Sequence, residues 1–595
     1  MSNQSPHQDI RIDSTRDLLL SNYCKAMLLD RYLLDGESFQ QLFLRVTSFF
    51  ADNQEHARRL YFYISNLWFM PATPILSNGG TNRGLPISCF LNEVEDSLHG
   101  IVDIWNQNVW LASKGGGIGT YWGAVRSIGE KVSNSGVTSG IVPFLAVQDR
   151  LALAISQGNL RRGSTAVYLP ISHPEIEEFI EIRRPTGGDP NRKALNLHNA
   201  VVISDKFMAA VEDNAMWNLV SPLNKVVVAK VNARELWIRL LLARIETGEP
   251  YMIFIDNINH HAPQAYKKNC LTIKTSNLCS EITLTTGRDQ FNKNRTAVCC
   301  LSSLNLEKFD HWSCNEVFIL DIMKFLDNVL QTFIDQAPSS MDSAKYSAYR
   351  ERSVGLGVMG FHSFLQNKMV PIESVLAKAW NLKIFYLIKQ KVDIASYCLG
   401  ISKGPCPDAQ DLNIQERFTH KIAIAPTASI SIIAGSVSPG IEPYTSNTYT
   451  QKSLTGSFYL RNRSLRKLLI KKAQNTEKIW SSIMHYEGSV AHLSFLTNDE
   501  KNVFKTAFEI NQEYLIDLAS ARSSFICQSQ SLNLFLLADT GKTDLMMLHY
   551  RAWKCGLKSL YYLRSKSSQR VDQGVASKED NHIIQPNRDE CLSCQ

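Results

Sequence analysis

The sequence predicts an α/β fold with a short helical region in front and a polar tail behind, on three observations. Apolar residues recur at helical spacing through residues 1–70, as at Leu18, Leu19, Leu20, Tyr23, Met27, Leu28, Leu42, Phe43, Leu60, Tyr61 and Ile64. From about Pro71, short apolar runs broken by Gly, Pro and Asn alternate with well-marked helices, the texture of a layered α/β body. Residues 565–595 are mostly Ser, Lys, Gln, Asp, Asn and Arg, too polar to offset the entropy of ordering them. The expected divisions are a helical region over 1–75, an α/β body over 76–564 and a mobile tail over 565–595.

Within the body, residues 86–91 (PISCFL) read as a short strand carrying Cys89. Ala233–Thr247 reads as a helix: Asn232 offers an N-cap, Glu235 stands three residues later as in a capping box, and Gly248 and Pro250 stop it. In 531–535, Leu532 and Leu534 alternate against Ser531 and Asn533, and 557–563 is an apolar strand in which Tyr561 and Tyr562 read as ordinary strand aromatics. The chain contains no internal repeat.

The 595 residues suffice for two to four domains at about 150 each, or for a barrel that runs longer as one unit. With 44% hydrophobic and 20% charged residues, bulk disorder and a small disulfide-stapled scaffold are excluded. No run of 18 apolar residues exists to span a membrane, and the start lacks a secretory pattern, so a reducing cytoplasm is expected. The net charge of +7 is small for this length. The most basic stretch, 461–472, reads as a solvated helix face, and no nucleic-acid partner is expected.

Thirteen cysteines are scattered along the chain, and each alone reads as a small buried hydrophobe. Cys591 and Cys594 end the tail as Cys-x-x-Cys, either half of a zinc site or a redox dithiol. A closed zinc site needs four ligands and only His582 stands near, which favours the redox pair. In 277–281 (NLCSE), an extended backbone would put Asn277, Cys279 and Glu281 on one face, joining an amide, a thiol and a candidate general base. A polar strand face with a buried cysteine is the plainer alternative. In 298–305 (VCCLSSLN), Cys299 and Cys300 must face opposite ways on a strand.

Two loops suit anions. Gly115, Gly116, Gly117 and Gly119 let backbone N–H groups approach a ligand, without forming a Walker motif. Pro426, Thr427, Ala428, Ser429, Ile430 and Ser431 offer hydroxyls and amides that can open a helix and hold phosphate.

Taken together, these segments resemble the large, catalytic subunit of a class I ribonucleotide reductase. The resemblance runs in family order through 70–74 (MPATP), Ser88-Cys89, 117–119, Asn277-x-Cys279-x-Glu281, Cys299-x-Leu301-Ser302, 426–431, Leu560-Tyr561-Tyr562 and Cys591-x-x-Cys594. It implies a ten-stranded α/β barrel of two five-stranded halves, with a central finger loop carrying Cys279. It also implies that Cys279 becomes a thiyl radical and takes the 3′ hydrogen of a ribonucleoside diphosphate. Glu281 would act as base on the 3′ hydroxyl, and Asn277 would bind the sugar hydroxyls. Cys89 and Cys299 would supply two electrons and close a disulfide as the 2′ hydroxyl leaves as water, so making DNA precursors. The family pattern puts the reactive cysteine two before Leu301, hence Cys299 rather than Cys300.

The same resemblance gives the remaining roles. Cys591 and Cys594 would reduce the Cys89–Cys299 disulfide and be reduced by thioredoxin or glutaredoxin. Thr73, Ser88, Gly117 and the 426–431 loop would bind substrate alongside Cys89, Asn277, Cys279 and Glu281; Ala428 departs from an acidic residue of some members. Asp96, Ser97 and Arg126 would bind dNTP or ATP effectors, relayed by a loop near 157–165. Tyr561 and Tyr562 would carry the radical from a small subunit holding a metal–radical centre. The large subunit would be a homodimer with no metal or covalent cofactor of its own. With only about 70 residues before Pro71, no ATP-cone is expected.

Three rivals fit less well. An adenosylcobalamin-dependent enzyme generates its radical locally and has no use for the tyrosine pair. A thioredoxin-like oxidoreductase would open a helix with its Cys-x-x-Cys near a strand. A non-enzymatic dithiol protein predicts broken catalytic positions, whereas the cysteines, Glu281 and both tyrosines are in place.

Overall fold

The computed structural model describes residues 10–132, 136–157, 161–162, 164–453 and 456–566. Cys591 and Cys594 lie outside the described residues, as do 158–160 and 163 of the expected relay loop. The N-terminal region forms the α-helices Asn22–Arg31, Phe39–Phe50 and Gln54–Ser65. Ser21, Ser38 and Asn53 cap them, and Ser38 with Gln41 closes a full capping box. Helices this short need tertiary packing to persist in water, and Leu42, Phe43, Val46 and Phe50 supply a buried face.

Five parallel strands pair side by side in chain order: Cys89–Glu93, Gly117–Tyr121, Ser164–Pro170, His198–Ile203 and Tyr251–Phe254. Helices Leu98–Ser113 and Val142–Ala154 supply the first two crossovers that parallel pairing requires. Ala297–Asn305 starts the second half, antiparallel to Cys89–Glu93 and parallel to Val354–Met359. The ring continues by parallel bridges from Leu356 to Ile422 and from Ile424 to Gln530. Tyr561 N–H then donates to Leu532 O (2.9 Å), and Ser559–Leu560 returns antiparallel to Tyr251–Phe254. Five segments on each side thus close the expected barrel. His198–Ile203, Ala297–Asn305 and Val354–Met359 are buried at every position, as strands covered on both faces are.

Ala233–Thr247 forms as expected, with Asn232 accepting from Glu235 N–H and Gly248 ending it in the left-handed region (φ 83°). Two expected strands are corrected. The strand expected over 531–535 forms over Leu534–Leu537, because the Ser531 N–H pairs with Ile424 O (2.9 Å) and the backbone changes partner by Leu534, whose N–H donates to Tyr562 O (3.1 Å). The strand expected over 557–563 breaks into Ser559–Leu560 and Leu563–Lys566, with Tyr562 N–H bound to Asn533 Oδ1 (3.0 Å) instead of a ladder carbonyl.

One large core joins the N-terminal helices to the barrel. A second, smaller one gathers Leu465, Leu469, Trp480, Ile483 and Phe504, so the basic stretch 461–472 presents a solvated helix face as expected. No helix among the described residues is long and apolar enough to cross a membrane.

Candidate active site

Residues 275–286 thread the barrel interior and are buried throughout. Buried backbone groups must each find a hydrogen-bond partner, and the barrel wall supplies them. Ser531 Oγ donates to Cys279 O (2.6 Å), Ser559 Oγ donates to Ser280 O (2.8 Å), and Tyr168 Oη donates to Asn277 O. Ser529 N–H donates to Glu281 O (2.8 Å), and Gln528 Oε1 accepts from Thr283 N–H (3.3 Å). Gly119 makes room, since a Cβ there would stand 1.8 Å from Ser276 O. The glycine run therefore admits the chain's own loop, and Gly117 N–H is spent on Ser88 O (2.6 Å).

The extended reading of 277–281 is corrected. The chain turns at Leu278 and Cys279, and Ser280 takes φ 66°. Glu281 and Ile282 N–H both donate to Asn277 Oδ1 at 3.1 Å, so the amide caps a turn as Asn side chains do. Alternation fails because this local bond replaces a strand ladder. Glu281 is nevertheless brought beside the loop's thiol region, its Oε2 accepting from Ser531 Oγ (3.1 Å).

Tyr561 Oη donates to Cys279 Sγ at 3.4 Å, and both side chains are buried. The Tyr561 and Tyr562 rings have centroids 4.3 Å apart, and Tyr251 packs on them at 4.8 and 5.0 Å. Cys89 and Cys299 are direct partners in an antiparallel pair. Such partners have Cα atoms about 4.5–5.5 Å apart, within the range of about 4.4–6.8 Å that a disulfide spans. Both are free thiols here. Gly355 leaves space for the sulfur, because a Cβ there would meet Cys299 Sγ at 3.0 Å. Burial pushes the Cys299 thiol well above its usual range, and Gln528 Nε2, 3.6 Å from Sγ, opposes that.

Around this centre, Ser88 Oγ lies 4.0 Å from Cys89 Sγ, and Thr73 Oγ1 is 2.9 Å from Tyr32 Oη. Thr427 is left-handed (φ 50°), with its hydroxyl accepting from Gly440 N–H (2.7 Å), and Ser429 precedes the short helix Ile430–Ile433. Arg126 Nε sits 3.0 Å from both Asp96 carboxylate oxygens, while Ser97 Oγ caps Leu98–Ser113 through Gly100 N–H (2.9 Å). Sequence reading missed Gln528, Ser531 and Tyr251. The polar run Gln528-Ser529-Gln530-Ser531 leading into a strand was the available signal.

Family profiles cover nearly all the described chain. The profile "Ribonucleotide reductase, all-alpha domain" matches residues 18–84, and "Ribonucleotide reductase, barrel domain" matches 87–417 and 412–563. The chain belongs to the ribonucleotide reductase large-subunit family. The ribonucleoside-diphosphate reductase large subunit of Invertebrate iridescent virus 3 is 41% identical, over 95% of this chain and 96% of that protein. The putative ribonucleoside-diphosphate reductase large subunit of Frog virus 3 is 40% identical, over 91% and 93%. The solved Actinobacillus ureae class Id ribonucleotide reductase alpha subunit matches with a TM-score of 0.82 at 33% identity, over 94% of this chain and 99% of that one. As a ribonucleotide reductase large subunit, the chain is an enzyme with nucleotide substrates and a small-subunit partner.

Proposed function

We propose that this large subunit reduces ribonucleoside diphosphates to 2′-deoxyribonucleoside diphosphates by thiyl-radical chemistry at Cys279. The observation that carries the reading is the Tyr561–Cys279 contact at the centre of the barrel. An oxidising equivalent from the small subunit's metal–radical centre passes through Tyr562 and Tyr561 to the thiol. The Cys279 radical takes the 3′ hydrogen, with Glu281 as base on the 3′ hydroxyl. The Nδ2 of Asn277 serves the sugar hydroxyls, since its Oδ1 holds the turn.

Substrate hydrogens and electrons balance through the opposed thiols: a ribonucleotide and two thiols give a deoxyribonucleotide, water and the Cys89–Cys299 disulfide. Thr73, Ser88 and the 426–431 loop hold the diphosphate, and Gly117 belongs to the same substrate site. Asp96, Ser97 and Arg126 take a dNTP or ATP effector. Cys591 and Cys594, beyond the strand Leu563–Lys566, restore the pair by thiol exchange and take the electrons from thioredoxin or glutaredoxin in a reducing cytoplasm. The active form is a homodimer of large subunits joined by the small subunit.

The test is a single turnover with the small subunit and no external reductant, using a chain with Cys591 and Cys594 replaced by serine. One product per site should appear together with one Cys89–Cys299 disulfide by peptide mapping. Product without that disulfide contradicts the reading.

A further inference from the structure

The Cys299 sulfur receives a side-chain hydrogen bond from the barrel wall, and the donor is held in one orientation. Gln528 is fully buried, and its Oε1 accepts from Thr283 N–H (3.3 Å). Its Nε2 must therefore face the other way, where it donates to Val354 O (3.1 Å) and to Cys299 Sγ (3.6 Å). Both amide hydrogens are thereby assigned, one to a carbonyl and one to the sulfur. The backbone of the residue is fixed as well: Gln528 N–H donates to Ile422 O (3.2 Å), and the buried Lys558 ammonium donates to Gln528 O (2.7 Å).

In the proposed reaction the two thiols part with one proton, which leaves with the 2′ hydroxyl as water, and one hydrogen atom, which replaces that hydroxyl on C2′. A thiolate and a thiyl radical remain. They combine into a disulfide radical anion, with one new S–S bond and one negative charge shared by the two sulfurs. Its extra electron passes, with the proton held by Glu281, to the 3′ ketone. A neutral disulfide is left, and Cys279 returns its hydrogen to C3′. Negative charge is costly at this place. Burial raises the Cys299 thiol well above its usual range, Cys89, Cys300 and Glu281 push the same way, and Gln528 opposes them. A donor aimed in advance at the atom where charge develops stabilises it without reorganisation.

We propose that Gln528 is a catalytic residue whose Nε2–H stabilises the negative charge on the Cys89–Cys299 pair as its disulfide closes, an inference that rests on the radical reading above. The amide touches Cys299 before, during and after the step, so the transient anion meets a dipole already in place. A neutral donor suits this position. A cation there would ionise the thiol before substrate arrives, and the leaving hydroxyl would lose its source of a proton.

The experiment uses the full chain with its small subunit, effector, a ribonucleoside diphosphate and dithiothreitol. Two products are counted: the deoxyribonucleotide, and the free base that a 3′-ketodeoxynucleotide loses by elimination when it is left unreduced. Gln528→Met keeps the length and removes the donor, whereas Gln528→Asn keeps an amide and draws it back by one methylene. Each should lower the ratio of deoxyribonucleotide to free base about tenfold, as for the loss of one hydrogen bond to a charged group. A packing defect lowers both products together, so an unchanged ratio in either variant that folds overturns the proposal. The two lesions differ, so a poorly folding single variant does not decide the outcome. Cys279→Ser separates the two claims. Deoxyribonucleotide from that chain overturns the radical reading itself, whereas its inactivity alongside an unchanged ratio in the Gln528 variants overturns the role of Gln528 alone.

Discussion

Tyr561 donates its hydroxyl to the Cys279 sulfur at 3.4 Å across 282 residues of sequence, both side chains buried in the barrel. The contact exists because two unrelated constraints coincide. The finger loop must spend its backbone groups on the wall, which fixes Cys279, and the chain's return antiparallel to Tyr251–Phe254 fixes Tyr561. Tyr561→Phe should remove one hydrogen bond, about 0.5–1.5 kcal/mol of stability, yet abolish nucleotide reduction. An intact melting transition with no turnover is the expected result, checked by calorimetry and a product assay.

Cys89 and Cys299 face each other directly, whereas Cys300 takes the opposite side of its strand. Cys89→Ser and Cys299→Ser should each stop catalytic turnover, and Cys300→Ser should leave it within about threefold, as for a substitution outside the reacting set. Steady-state assays of the three chains separate the roles of the adjacent thiols.

Arg295 is fully buried beside Asp408 (2.6 Å) and Asp289 (3.0 Å), with Glu351 at 4.0 Å. Removing the cation leaves uncompensated buried carboxylates, so Arg295→Met should cost about 3–5 kcal/mol. A fall in thermal midpoint measures it, and an unchanged midpoint contradicts this account of the network.

Burial depresses His173 to about 4 and His362, His420 and His549 to about 3. In the unfolded chain these rings titrate near 6.5. Below that pH the unfolded state binds protons that the folded state refuses, so stability falls as pH drops from about 6.5 towards 3–4, by up to about 1.4 kcal/mol per histidine per pH unit. Neither ring nitrogen of His420 has a hydrogen-bond partner among the described residues. His420→Leu should reduce the acid slope by one proton, read from thermal midpoints across pH 7 to 5.

The tail makes a separate prediction. Replacing Cys591 and Cys594 together with serine should abolish turnover driven by thioredoxin and preserve turnover driven by dithiothreitol, which enters the site directly. Loss of both activities would contradict the shuttle assignment.

Much of this was legible in the sequence because it was local or periodic. The N-terminal helices carry their own caps at Ser21, Ser38 and Asn53, and Asn232 and Gly248 bracket a helix that forms where expected. The turn at 277–281 was not legible, because its cause is Asn277 bonding its own backbone inside a barrel rather than any alternation. The polar run 528–531 signals polarity but not the roles of Gln528 and Ser531, because their partners, Cys299 and Glu281, lie far away along the chain. Strand register, which no local pattern records, puts them in place.

The most direct test of the central claim is nucleoside-diphosphate reduction by Cys279→Ser, with an active small subunit, effector and dithiothreitol present. A serine hydroxyl cannot supply the sulfur radical, so the account predicts no deoxyribonucleotide above background from a chain that folds and binds substrate normally. Turnover at the rate of the unsubstituted chain would contradict it.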